Sequence, residues 1–438
     1  MNSLLRIPYG LAGLATEGLV RITPPGNSKV RRGLSARRGL IDRYAEWGAK
    51  SRDRAKPLAW FHAPSVGEGL QSLPVIELLR ARRPDMQIAY TFYSPSAEEF
   101  ARSVKADFSD FLPFDTFAHA SSVIDALRPD AIVFSKLDIW PALTEQAADA
   151  GVPVGVISAT LPESSGRRGF LARALLGDAY RAIERVGAIE EEDAQRLREQ
   201  GVRDDRISVT GDTRYDQVWA RARKTPSALT QSLRSSRPTL VAGSTWPADE
   251  EHLLPSWLRI REKIPDARLI IAPHELSEPH IRSIVDWAAG GALSVARLDA
   301  PHLPHADVIL IDRFGILGDL YALADVAYVG GGFHAAGLHS VLEPAAFGAP
   351  VLFGPRRDKS RDAAKLIQAG GGAEIKGTVD LALRLGEWLG SEAARATAGS
   401  FARNMVQAGV GAAERSYDLV TTLLLRRAQV RDGSADGR

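Results

Sequence analysis

The chain has no cysteine. That removes thiolate zinc sites, iron–sulfur clusters and cysteine nucleophiles, and it fits a reducing compartment. No apolar run reaches the roughly eighteen residues that a membrane-spanning helix needs, and no low-complexity tract is present. At 45% apolar and 25% charged residues, the sequence is neither disordered nor fibrous. What it does have is length: 438 residues, where one core rarely organises more than about 250 to 300. Two domains are therefore expected.

Charge is unevenly spread. The whole chain carries a formal +2, yet residues 1–56 hold twelve Lys and Arg against only Glu17, Asp42, Glu46 and Asp53. The first eighth is thus an electropositive arm on a mildly acidic body, and it calls for an anionic partner. At its start, Leu4, Leu5, Ile7, Leu11, Leu14, Leu19, Val20 and Ile22 recur at roughly helical spacing, interrupted by Pro8 and Glu17. The stretch lacks the cleavage site of a secretory signal and is too polar to span. It reads as an interfacial helix in a lipid headgroup region, with an ordinary core helix as the alternative. Nucleic acid is not expected as a partner, because the arm has only Tyr9, Tyr44 and Trp47 as stacking aromatics.

Apolar runs at 58–61, 88–91, 131–134 and 154–157 read as buried parallel strands alternating with helical patterns. After a polar stretch the alternation restarts at 239–242 and continues through 269–271, 308–311, 327–329 and 351–353. This predicts an α/β chain of two doubly wound, Rossmann-like domains facing across an interdomain cleft. The expected boundaries are an arm over 1–56, a first domain over 57–222, a linker over 223–237, a second domain over 238–425 and a flexible tail over 426–438. Ligands of such sheets sit beyond the carboxyl ends of strands, so the residues just after each strand carry the interest.

After the first strand, Glu68 stands between Gly67 and Gly69 where a helix begins. It is placed for a general base, but Ser65-Val66-Gly67-Glu68 also has capping-box spacing, and both roles are open. Gly330-Gly331-Gly332, followed by His339 and Glu343, offers backbone amides to a phosphate and a carboxylate to ribose hydroxyls; a tight strand-to-helix turn is the plainer alternative. Ser244 and Thr245 could ligate phosphate oxygens or cap the helix that starts at Pro247. His274, after Pro273, is either a phosphate donor or a satisfied loop histidine. Lys136 and Asp138 directly follow a buried strand, where a local ion pair is one reading. His302 and His305 form a poor metal signature without a third ligand, and no bound metal is predicted.

In order along most of residues 1–375 stand Ser65-Val66-Gly67-Glu68, Trp140-Pro141, Gly211-Asp212-Thr213-Arg214-Tyr215-Asp216, Gly243-Ser244-Thr245, Pro273-His274, Gly315 with Asp319-Leu320-Tyr321, and Gly330-Gly331-Gly332 through Glu343-Pro344 to Gly354-Pro355. This series resembles the Kdo transferases, GT-B glycosyltransferases that attach 3-deoxy-D-manno-oct-2-ulosonic acid (Kdo) to lipid A precursors. The resemblance implies CMP-Kdo as co-substrate with no cofactor, and an inverting, metal-independent displacement. It further implies a lipid A precursor as acceptor and an anionic membrane surface as partner, at the cytoplasmic face of the inner membrane. It makes Glu68 the base and puts Ser65, Gly67, Lys136 and Asp138 at the acceptor. At the donor it puts Gly211, Thr213, Arg214, Ser244, Thr245, Pro273, His274, Phe314, Gly315, Ile316, Gly330, Gly331, Gly332, His339, Ser340 and Glu343.

The chain also departs from that pattern. Lys136 and Asp138 stand where many relatives carry Glu-x-Glu, Ser158-Ala159-Thr160-Leu161-Pro162 where they carry Asn-Ala-Arg-Leu-Ser, Ala272 where they carry arginine, and Ser340 where they carry asparagine. Donor-phosphate contacts are accordingly expected to shift to Arg313, Arg356, Arg357 or Lys359. Two rival readings are a GT-B transferase or epimerase using a UDP-sugar, and a non-catalytic relative that binds lipid A precursor.

Overall fold

Apolar runs without alternation need cover on both faces, which parallel strands flanked by helices provide. The computed structural model of the chain describes residues 3–24, 26, 28–163, 165–300 and 303–435; His302 and residues 436–438 lie outside that set. The chain divides into Met1–Gln217 with Gly411–Arg438, and Val218–Val410.

In the first unit, β1 (Leu58–His62), β2 (Gln87–Phe92), β3 (Phe108–Phe111), β4 (Ala131–Ser135), β5 (Val154–Ala159), β6 (Arg185–Ala188) and β7 (Ile207–Val209) form one parallel sheet. Its order is β3-β2-β1-β4-β5-β6-β7. In the second, β8 (Thr239–Thr245), β9 (Arg268–Pro273), β10 (Val295–Arg297), β11 (Val308–Leu310), β12 (Val326–Val329), β13 (Val351–Phe353) and β14 (Gly372–Glu374) are again parallel. That order is β10-β11-β9-β8-β12-β13-β14. Each predicted apolar run lies in a strand, save that β11 ends at Leu310, one residue short of the run 308–311. The strands without such a run, β3, β6, β7, β10 and β14, are short, and β7 and β14 are half-exposed or exposed along their length. Partial burial leaves them little hydrophobic signature.

The boundaries differ from those expected. The stretch 223–237 holds a helix, Ala228–Ser232, and the fully buried Leu233, whose carbonyl accepts from Arg268 at 2.8 Å. It therefore packs into the second unit's core, and the division falls inside the helix Thr213–Ala222. The helix Ala412–Ala435 returns to the first unit, where Leu419, Val420, Leu423 and Leu424 join its core. Arg82 clamps Glu414 there with two N–H donors at 2.7 and 2.6 Å. Asp216 accepts the N–H groups of Gly411 and Ala413 at 2.8 and 3.0 Å. A segment with four buried apolar side chains at helical spacing is anchored, so helix replaces the expected tail as far as Ala435.

The basic arm is three helices, Ser3–Ile22, Lys29–Ser35 and Leu40–Lys50. Some of its cations are structural: Arg37 is buried, donates to the carbonyls of Leu112 and Tyr93 at 2.9 and 3.0 Å, and stacks over the Tyr93 ring at 4.2 Å. The helix Ser3–Ile22 is fastened by its polar side, through Arg6 to Glu145 at 2.8 Å, Tyr9 to Asp115 at 2.7 Å and Glu17 to His119 at 2.9 Å. At about 100° per residue, Ile7, Leu11, Leu19 and Ile22 fall on the opposite side, where they are 73%, 60%, 49% and 76% exposed. The side chains of Leu4, Leu14 and Arg21 lie outside the described residues. No described helix is long and apolar enough to cross a membrane.

Candidate active site

In an open parallel sheet, the crevice for a ligand lies at the carboxyl ends of strands where the winding reverses. In the first unit that point is between β1 and β4, which pair from Ala59↔Ala131 to His62↔Phe134. The segment after β1 brings Ser65 and Glu68, and the segment after β4 brings Lys136 and Asp138.

Glu68 sits in the first turn of the helix Val66–Arg82, with Ser65 as its N-cap residue. The capping box is not formed: Ser65 makes no side-chain cap bond, and its hydroxyl instead donates to the Glu68 carboxylate. The other carboxylate oxygen accepts from Lys136 Nζ at 3.2 Å. Burial alone would push the Glu68 carboxyl up, but the Ser65 hydrogen bond and the Lys136 ammonium outweigh it and hold the group below the usual glutamate range. The side chain keeps 16% exposure.

Lys136 and Asp138 do not pair with each other. Asp138 accepts from Arg167 at 2.9 Å and from the Trp140 indole at 3.1 Å, and lies 3.8 Å from His62. Burial opposes its charge, but His62 and Arg167 together hold it below the usual aspartate range. His62 is fully buried, bonded to Thr91 at 3.0 Å and to the Trp140 indole at 3.0 Å, and burial pushes its imidazole down. This cluster fixes the loop that carries Lys136.

Gly211, Thr213 and Arg214 belong to the first unit. The Thr213 hydroxyl is buried and donates to the Gln71 carbonyl at 2.5 Å, while Ser158 lies 3.0 Å away. Asp212 accepts from Gln71 at 3.2 Å and from Arg214 at 2.6 Å. Gln71 is on the Glu68 helix, one turn on, so this motif braces that helix.

In the second unit the winding reverses between β8 and β12, paired from Val326↔Leu240 to Val329↔Gly243. Here Ser244 and Thr245 meet Gly330, Gly331 and Gly332. A Cβ on Gly330 would lie 2.2 Å from the Ser244 carbonyl oxygen, and Gly331 has φ +90°, so close packing alone demands both glycines. Their amides are largely spent within the protein: Gly330 N–H donates to Gly243 O at 2.9 Å and Gly331 N–H to the Asp249 carboxylate at 2.7 Å. Asp249 also takes the N–H groups of Phe333 at 3.2 Å and Trp246 at 3.0 Å and the Tyr328 hydroxyl at 3.1 Å. Thr245 is likewise engaged, donating to Glu250 at 2.7 Å, and Glu250 accepts from His280 at 2.9 Å. The amide cradle expected at Gly330 and Gly331 is therefore internally satisfied.

Imidazoles gather beside it. Trp246 stacks on His334 (3.9 Å between centroids, 10°) and on His274 (4.4 Å, 26°), and His274 lies 4.6 Å from His339. The Trp246 indole points to His339 at 3.4 Å. Burial, then the neighbouring His274, push the His339 imidazole down. Of the expected cations, Arg356 is exposed and pinned to the turn by its own N–H, which donates to Gly332 O at 2.8 Å. Arg357 is paired to Glu374 at 2.6 Å, and Arg313 lies 3.6 Å from Asp299. Phe314 is 70% exposed beside Gly315 and Ile316, and Ser340 is exposed. Burial pushes the Glu343 carboxyl up, against the opposing Arg221 guanidinium at 3.2 Å. No group of three or more His, Cys, Asp or Glu among the described residues is arranged to hold a metal ion.

Sequence reasoning passed over Trp246, Asp249, His334, Arg221 and Arg167. Asp249 had one visible sign, its position in the first turn of the helix starting at Pro247; the others are set by tertiary packing.

A model of the 3-deoxy-D-manno-octulosonic-acid transferase (kdotransferase) family matches residues 33–217. The 3-deoxy-D-manno-octulosonic acid transferase of Haemophilus influenzae is 26% identical over 400 residues, 89% of this chain and 92% of that one. Its namesake from Rickettsia felis is 26% identical over 336 residues, 76% of this chain and 71% of that one. Among solved structures, UDP-GlcNAc 2-epimerase from Neisseria meningitidis bound to UDP-GlcNAc aligns with a TM-score of 0.63 at 17% identity, covering 85% of this chain and 100% of that chain. That likeness shows the fold, which is of GT-B type with two Rossmann-like domains.

Proposed function

The chain belongs to the 3-deoxy-D-manno-octulosonic-acid transferase family and is a glycosyltransferase of lipopolysaccharide biosynthesis; from that premise we propose that it carries Kdo from CMP-Kdo to a lipid A precursor, with inversion and without a metal. Glu68 takes the proton of an acceptor hydroxyl. The freed oxygen bonds to the anomeric carbon of Kdo as the bond to the CMP phosphate breaks, and its electron pair leaves with CMP. The observation that carries this reading is the Glu68 carboxylate, ionised and partly open at the β1/β4 crossover.

The leaving phosphate needs donors that develop no new charge of their own. With Gly330, Gly331 and Thr245 engaged internally, the Arg356 guanidinium and the imidazoles of His274, His334 and His339 take that part. The helix Ser3–Ile22 lays Ile7, Leu11, Leu19 and Ile22 into the lipid surface, and the remaining arm cations hold anionic headgroups at the cytoplasmic face of the inner membrane.

The test is single-turnover transfer from CMP-Kdo, generated in situ, to a lipid A precursor in detergent with chelator present, read by mass. A Kdo-bearing lipid supports donor, acceptor and metal independence together. Activity only on addition of a divalent cation overturns the metal-free reading, and turnover of a UDP-sugar instead of CMP-Kdo overturns the donor.

A further inference from the structure

Both oxygens of the Glu68 carboxylate are occupied in the free protein, one by the Ser65 hydroxyl and one by Lys136 Nζ. Each oxygen keeps a second lone pair, but a carboxylate held by an ammonium and a hydroxyl is a weakened base, and release of one partner strengthens it as a proton acceptor. The two partners are not equally free to go. Ser65 is the N-cap residue of Glu68's own helix, with extended backbone (φ −139°, ψ 176°), three residues from Glu68. Lys136 is a long side chain, 46% exposed, on a separate loop.

Lys136 is also held where it is by its backbone. It has φ +64°, a left-handed conformation that a residue with a Cβ rarely adopts, and its N–H donates to Ile157 O at 2.9 Å. Asp138, two residues on, is anchored to Arg167 and Trp140. The root of the loop is fixed by these bonds, while the Lys136 side chain reaches Glu68 from a half-exposed position. Burial, aided by the Glu68 charge, raises the Tyr90 hydroxyl on β2, and the Ser135 hydroxyl donates to the Glu68 backbone carbonyl at 2.7 Å.

We propose that Lys136 is a positioning residue that keeps Glu68 closed in the absence of acceptor and transfers to an anionic phosphate on the acceptor sugar when acceptor binds, opening the base. This rests on the base role of Glu68 proposed above. The exchange conserves charge pairing: the ammonium leaves a carboxylate for a phosphate, and the carboxylate, relieved of its cation, becomes the stronger proton acceptor at the moment a hydroxyl is beside it. The hydroxyl proton then goes to Glu68 Oε1, the position that Lys136 has vacated. Without acceptor, the capped carboxylate does not draw a proton from water, so donor bound alone is protected from base-assisted hydrolysis.

The experiment compares wild type, Lys136→Gln and Lys136→Arg by pH profile, on a lipid A precursor and on the same precursor with its sugar phosphates removed; thermal melts verify folding. In Lys136→Gln the acidic limb of kcat/KM, which reports the free enzyme, moves to higher pH, while that of kcat, which reports the bound complex, stays in place. KM for the phosphorylated acceptor rises about tenfold, KM for the dephosphorylated one is unchanged, and hydrolysis of CMP-Kdo without acceptor increases. Lys136→Arg restores the wild-type limb. If both limbs move together, Lys136 stays on Glu68 in the complex and the exchange is overturned; if neither moves, the pairing has no role. Titration of the Glu68 carboxyl by NMR in substrate-free wild type and Lys136→Gln reads the closed state without turnover. Full transfer by Glu68→Gln sinks the base role itself and is thereby distinguished from failure of the exchange.

Discussion

The Asp249 carboxylate receives the Gly331 N–H at 2.7 Å, so the anion at the glycine turn is supplied by the protein's own chain. Four buried or half-buried donors converge on this one side chain. Asp249→Ala strands them and is expected to cost about 3 kcal/mol or more in the second unit. Asp249→Asn, which keeps an acceptor oxygen, costs less. Urea unfolding of the two variants measures both; equal midpoints for Asp249→Ala and wild type would dismiss the role.

Glu68→Gln keeps the shape of the site and removes the proton acceptor. Transfer should fall by about 10² to 10⁴-fold, with binding of CMP, followed by calorimetry, little changed. In wild type the acidic limb of kcat/KM should lie below the usual glutamate range, because Ser65 and Lys136 together outweigh burial. Activity that survives the substitution removes Glu68 from the mechanism.

Thr213→Val separates bracing from donor binding. Its hydroxyl is buried on Gln71 and Ser158, so the change should destabilise the first unit by about 1 to 3 kcal/mol and lower kcat through the Glu68 helix. CMP affinity should stay within experimental error. A loss confined to CMP affinity would return Thr213 to the donor.

Arg221→Met exposes the pH sensitivity of Glu343. Burial raises that carboxyl in the folded state, and Arg221 offsets part of the rise. A carboxyl raised on folding binds its proton more tightly in the native state, so its penalty is absent at low pH and grows as pH climbs through the unfolded value toward the folded one. Without Arg221 the penalty deepens. The variant should therefore lose more melting temperature at pH 7 than at pH 4, and an equal loss at both would refute the coupling.

Replacing Ile7, Leu11 and Ile22 by serine removes apolar side chains that contribute about 1.5 to 3 kcal/mol each when fully buried. Partition onto anionic vesicles, measured by co-sedimentation, should drop by at least roughly tenfold, while detergent-assayed transfer is retained. Unaltered partition would remove the helix Ser3–Ile22 from membrane contact.

Much of the fold is legible from apolar runs. Strands such as 131–134 and 239–242 are continuous because both faces are covered, and Glu68 is conspicuous as a carboxylate between glycines after the first of them. The outer strands β7 and β14 are legible to a lesser degree, since their partial exposure relaxes the demand for apolar residues. The returning helix Ala412–Ala435 hides for another reason: Leu419, Val420, Leu423 and Leu424 state that one face is buried, but not in which of two cores.

Composition and local pattern alone determined the α/β class of the protein, its parallel sheets, its basic arm and the strand-end positions of Glu68 and the triple glycine, because those follow from burial and from nearest neighbours in the chain. Tertiary structure decided how the polar groups are paired. Glu68 with Lys136, Asp138 with Arg167, Asp249 with Gly331 and Arg221 with Glu343 are separated by 29 to 122 positions in sequence. A charged side chain in a half-buried crossover takes the nearest complementary group that folding delivers, and no local pattern names it.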